Sequence, residues 1–188
     1  MKENKTKVLF LDIDGVLNSD DFFKSDYCKK LRQSKGEQGC MHDPRKIALL
    51  SEIVKKTHCK IVMSSSWRYF YFGKDDNCKM LAKPIKKDFK KYGIRIKEHV
   101  NNAIDAEYAK KYDDWFWSER TEPFEITQFF ERGLEIKNYL KAHPEVKQFA
   151  ILDDCDGDLH LHGEHFVQTN CLIGLTKKDV EKIIELLK

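Results

Sequence analysis

The sequence predicts an α/β fold: a doubly wound, Rossmann-like parallel sheet carrying a small flap and a modest cap-like insertion. Three observations point there. Residues 7–12 (KVLFLD), 60–64 (KIVMS) and 146–154 (VKQFAILDD) each contain the short apolar run of a strand covered on both faces. Segments with helical spacing separate and follow these runs, as in βαβ units. Each run also stops at polar groups (Asp12, Ser64, and the pair Asp153 and Asp154), and parallel sheets bind ligands at the carboxyl ends of their strands.

The elements follow in order. After the first strand, residues 18–41 are polar and spotted with aromatics, and read as a loop or small flap. Asp43 and Pro44 then supply an N-cap and a proline at the first helical position, and Ile47, Leu50 and Val54 continue a helix to about His58. Beyond the second strand only residues 86–93 (KKDFKKYG) read as a short helix, closed by Gly93. Residues 132–143 (RGLEIKNYLKAH) form a helix that Pro144 ends. The third strand follows, and HFVQT at 165–169 suggests a fourth. Thr176 and Asp179 make a capping box that opens an amphipathic helix through Leu187. The expected organisation is one domain over 1–188, with its core in 1–18, 43–68 and 131–188. Residues 19–42 would be the flap and 69–130 the cap-like insertion.

Bulk properties exclude several classes. With 41% hydrophobic and 35% charged residues the chain is globular rather than disordered. A net charge of +3 does not by itself mark a nucleic-acid binder. The apolar run after the basic N-terminus is too short for a signal peptide, and no stretch has membrane-spanning length. The six cysteines include no CxxC pair and are expected to be reduced thiols in a cytoplasmic protein.

Chemistry concentrates in FLDIDGVLN. Asp12 ends the strand, Asp14 follows two residues later, and Gly15 frees the backbone to turn. Carboxylates this close repel unless a cation lies between them, and a hard, oxygen-seeking ion such as magnesium suits the pair. One carboxylate could attack an electrophile while the other moves protons.

The tract DIDGVLN resembles motif I of the haloacid dehalogenase (HAD) superfamily. IVMSSSWR resembles its motif II and FAILDD its motif IV, in the family's order. With the RGLEI helix start and the later FVQT and GLT, the sequence is similar to the HAD domains of Swiss Army Knife RNA-repair proteins. The resemblance covers residues 7–18, 60–68 and 131–188. It implies a phosphatase with Asp12 as nucleophile and Asp14 as general acid and base. It also implies Ser64 as the phosphate-binding hydroxyl, with Ser65 one register away, and Arg132 as the neutralising cation, for which Lys137 and Arg120 compete. Magnesium would be held by Asp12, the Asp14 backbone and the Asp153–Asp154 pair, while Asp158 has the spacing of the family's GDxxxD variant. Ser65, Trp67 and Arg68 are expected at the substrate, Trp67 either as a stacking platform or as a core residue.

Other readings are weaker. Asp154, Asp156 and Asp158 imitate a calcium loop, but Leu159 and His165 occupy its glycine and glutamate positions. Cys155, His160, His162, His165 and Cys171 lack a zinc-binding frame. Trp115, Phe116 and Trp117, with Lys110, Lys111 and Arg120, could stack bases and hold phosphates. The expected partner is a phosphorylated substrate, either a small molecule or a nucleic-acid end. A non-catalytic HAD-fold binding module is the rival to an enzyme.

Overall fold

The computed structural model describes residues 6–101 and 132–188. Its elements are β1 (Thr6–Leu11), α1 (Asp20–Lys24), α2 (Asp26–Lys35), α3 (Pro44–Thr57), β2 (Lys60–Met63), α4 (Arg68–Phe72), α5 (Asp76–Lys91) and β3 (Ile96–His99). They continue with α6 (Arg132–Ala142), β4 (Val146–Asp153), β5 (Phe166–Gln168) and α7 (Lys177–Leu186), plus 3₁₀ turns at Glu37–Cys40 and Leu159–His165. The five strands form one parallel sheet in the order β3-β2-β1-β4-β5.

The sequence of β1 explains its central place. Successive side chains point to opposite faces. Leu9 and Leu11 enter one apolar cluster and Val8 and Phe10 another, all fully buried. A strand apolar on both faces needs helices above and below it. Ile47, Leu50 and Ile53 of α3, Ile85 and Phe89 of α5, and Val180 and Ile183 of α7 cover the Leu9 face. Ile136, Tyr139 and Leu140 of α6 cover the Phe10 face. Burying each such side chain contributes about 1.5–3 kcal/mol.

The caps fall where expected. The Asp43 side chain accepts from the Arg45 amide with Pro44 opening α3, and Thr176 and Asp179 form the capping box of α7. The fourth strand is present as β5, at the sheet edge.

One alternative resolves and one expectation changes. Of the loop and flap alternatives for residues 19–42 the structure has a helical flap: Ser19 caps α1, Ser25 caps α2, and the pair closes over a small core of Phe22, Cys28, Leu31 and Cys40. Amides of Asp20 and Asp21 donate to the carbonyls of Cys171 and Leu172, tying this helical flap to the loop after β5. Residues 69–130 are not wholly an insertion. Their first half supplies most of α4, the crossover helix α5 and strand β3, which pairs with β2. Two features disguise this in the sequence. Pro84 interrupts the α5 pattern, although the helix starts back at the Asp75 cap. Strand β3 is a short edge strand whose Lys97 and Glu98 face solvent.

Candidate active site

The sheet extends one residue past each strand end, and this brings the chemistry together. The Asp12 amide donates to the Leu152 carbonyl (2.9 Å), Ser64 to Leu11 (3.0 Å) and Thr169 to Asp153 (2.9 Å). Asp12, the serine run and the Asp153–Asp154 pair therefore share one carboxyl edge.

Asp12 is buried there at 4% exposure. The Arg132 guanidinium, at the start of α6, lies 3.3 Å from its Oδ1 and donates a hydrogen bond to Asp153. Burial pushes the Asp12 carboxyl up to about 7; Arg132 opposes the shift, Asp153 adds to it, and a hydrogen bond from Ser65 opposes it. Burial also raises Asp153, against Arg132, and Asp154, with Asp153 adding to the latter. Three carboxylates facing one guanidinium form a site short of positive charge. One oxygen from each of Asp12, Asp153 and Asp154 lies within 4.8 Å of the others, the sole such potential metal-ligand cluster among the described residues. An all-oxygen set of this compactness fits magnesium.

Glycines make the approach possible. Gly15 has φ +64°, and a Cβ there would fall 2.2 Å from the Asp154 Cγ. The Thr169 hydroxyl donates to the Gly15 carbonyl (2.9 Å) and pins this turn. At Gly133 a Cβ would fall 2.6 Å from the Asp158 carbonyl oxygen. Asp158 instead accepts from the amides of Gly133 (2.6 Å) and Leu134 (2.9 Å). It thus caps α6 and holds Arg132 in place, and is absent from the carboxylate cluster that its GDxxxD spacing suggested.

The two serines have different surroundings. The Ser65 hydroxyl accepts from the Trp67 amide (3.3 Å) and lies close enough to Asp12 to oppose the rise of its carboxyl. The Ser64 hydroxyl, expected to bind phosphate, is fully buried without a hydrogen-bond partner among the described residues.

Trp67 and Arg68 do not stand free at the substrate. Trp67 is 5% exposed, its ring in the core and its Nε1–H donating to Asp14 Oδ2 at 3.0 Å. Arg68 pairs with Glu135 of α6 at 2.8 Å, both side chains largely buried, and reaches the carbonyls of Ser64 and Ser65. It ties the β2 loop to α6.

Asp14 itself is exposed, and its Oδ1 accepts from Asn18 Nδ2 at 2.8 Å. Asn18 stands inside the DIDGVLN tract, but an asparagine after a turn carries no role that spacing alone reveals.

The histidines after β4 form no zinc site among the described residues. His160, His162 and His165 each bond a backbone carbonyl (Gly157, Gly133 and Phe149), and none joins a metal-ligand cluster among the described residues. Lys110, Lys111, Trp115, Phe116, Trp117 and Arg120 lie outside the described residues. No described helix is long and apolar enough to cross a membrane.

A family model described as the HAD domain in Swiss Army Knife RNA repair proteins matches residues 8–180. No curated protein and no solved structure matches the chain.

Proposed function

The chain belongs to the family of HAD domains of Swiss Army Knife RNA repair proteins, and from that membership we propose a magnesium-dependent phosphomonoesterase working through an aspartyl-phosphate on Asp12. Membership supports a hydrolase. The observation that carries the finer reading is the buried Asp12 carboxylate within reach of Arg132, Ser65, Asp153 and Asp154.

An Asp12 oxygen attacks phosphorus in line, and the bond from phosphorus to the ester oxygen breaks. Asp14 gives its proton to the departing oxygen. It then takes a proton from a water whose oxygen attacks the same phosphorus, releasing phosphate and restoring Asp12. Arg132 and Ser65 neutralise the phosphoryl oxygens, where most catalysis of this transfer resides. Magnesium, held by Asp12, Asp153, Asp154 and the Asp14 backbone carbonyl, would supply charge neutralisation at the same oxygens.

Asp12→Asn tests this. The variant should fold and lose magnesium-dependent hydrolysis of nitrophenyl phosphate entirely. Turnover equal to the parent would end the reading, and absence of hydrolysis in both would favour a binding module.

A polynucleotide end is the second reading for the substrate. It is favoured by the family description and by an exposed lysine stripe on α5: Lys79, Lys83, Lys87 and Lys90. Phosphate contacts there would make hydrolysis of a phosphorylated oligonucleotide fall steeply with salt, unlike that of a mononucleotide. Equal rates and equal salt dependence would leave a small-molecule phosphatase.

A further inference from the structure

We propose that Trp67 and Asn18 form a two-donor clamp that positions the Asp14 carboxylate for proton transfer and links it to the base of the helical flap. The proposal rests on the phosphatase reading, in which Asp14 is the acid and base.

The geometry is specific. Asp14 lies in a turn and is exposed, so nothing about its own packing fixes its side-chain torsions. Two buried donors do so instead, one on each oxygen. Trp67 Nε1–H reaches Oδ2 at 3.0 Å and Asn18 Nδ2–H reaches Oδ1 at 2.8 Å. A carboxylate has about four lone-pair positions, so one donor per oxygen leaves a position on each for the proton in transit. The orientation of the Asn18 amide follows from its neighbours. Its Oδ1 accepts from the Gly15 amide at 2.9 Å, which turns Nδ2 toward Asp14 and toward the Met41 carbonyl at 3.2 Å. Asn18 precedes the flap and Met41 closes it, so one amide staples the flap's two ends and holds the proton carrier.

Satisfaction of the indole alone does not explain the arrangement. A buried Trp N–H needs an acceptor, and any backbone carbonyl would serve. This one is given to a charged side chain two residues from the nucleophile, by a tryptophan on the loop that also carries Ser65. Trp67 and Asn18 are therefore positioning residues, acting through Asp14.

A general acid matters most when the leaving group is poor. The discriminating measurement is kcat/KM, which reports steps through formation of the phospho-enzyme, for an alkyl phosphate and for nitrophenyl phosphate. General-acid catalysis contributes about 10²- to 10⁴-fold, and a misaimed acid forfeits part of it. Trp67→Phe, which keeps an aromatic ring and removes the N–H, should lower kcat/KM for the alkyl ester about tenfold more than for the aryl ester. Asn18→Leu should show the same dependence, and it decides the matter if Trp67→Phe does not fold. Equal losses on both esters, or no loss on either, would overturn the clamp. A parent protein that hydrolyses neither ester would instead refute the phosphatase reading, and the clamp with it.

Discussion

Replacing Gly15 by alanine adds one carbon atom where the structure has no room for it. The position has φ +64°, a left-handed conformation that costs an L-residue roughly 1–2 kcal/mol. The new Cβ would also fall 2.2 Å from the Asp154 Cγ and 2.3 Å from its Oδ2. Carbon atoms in contact prefer about 3.5–4.0 Å, so the Asp154 carboxylate must move by more than an ångström. Magnesium holds its ligands near 2 Å and tolerates no such displacement. Strain alone should lower the melting temperature by about 2–8 °C, taking roughly 2–4 °C per kcal/mol for a chain of this size. Loss of groups that merely support metal ligands weakens affinity about 10- to 100-fold, and losing a direct ligand should cost at least the lower figure. At magnesium of about 100 times the parent Kd, the ligand-induced stabilisation would then fall from about 2.7 to about 1.4 kcal/mol. Thermal melts of Gly15→Ala with and without magnesium read both quantities. A lowered melting temperature with the parent's full magnesium-induced rise would refute the assignment of Asp154 to the metal.

Two further outcomes are expected. Burial raises the Asp12 carboxyl from 3.8 to about 7, so the folded state holds this proton more tightly than the unfolded chain. The contribution to stability is complete below about pH 4 and is lost as pH rises through about 7 in the absence of metal. Because a cation needs the ionised carboxylate, the magnesium-induced rise in melting temperature should be larger at pH 8 than at pH 5; a rise independent of pH would contradict this. Asp158→Ala removes the acceptor for the first amides of α6 and should cost about 1 kcal/mol, while Asp158→Asn keeps a capping oxygen and most of that stability. Turnover should fall with the alanine variant because Arg132 is released; a stable, fully active Asp158→Ala would deny the cap its role.

The centre of the fold is legible in the sequence because burial on both faces leaves a compositional mark. Val8, Phe10, Ile61, Val62, Ile151 and Leu152 cannot be other than interior strand positions, and the polar groups that end their runs mark the site edge. Edge and surface elements leave a weaker mark. Strand β3 has four residues with Ile96 its one buried apolar side chain, and the flap helices depend on serine caps and four small-core residues spread over 22–40. Within the site, Asp12, Arg132, Asp153 and Asp154 stand together as their motifs suggest. Roles fixed by direction are a different matter. Whether Ser64 or Ser65 faces Asp12, and whether Trp67 offers its face or its N–H, depends on torsions that a string of letters does not contain. Arg68 and Asp158 have residue types suited to the site, yet Glu135 and the α6 amides take them up. Competition between partners is a property of three dimensions.

The strand order also governs when the carboxylate cluster can assemble during synthesis. Asp12 emerges from the ribosome well before β4, but its strand pairs on one side with Phe149–Leu152, and its amide needs the Leu152 carbonyl. Arg132, Asp153 and Asp154 likewise come late. Closing so long a loop before any site contact forms makes this a slow, non-local assembly. A nascent or truncated chain that stops before residue 153 carries Asp12 but lacks the two carboxylates that cluster with it. Until Phe149–Leu152 have been made, that edge of β1 awaits its partner strand.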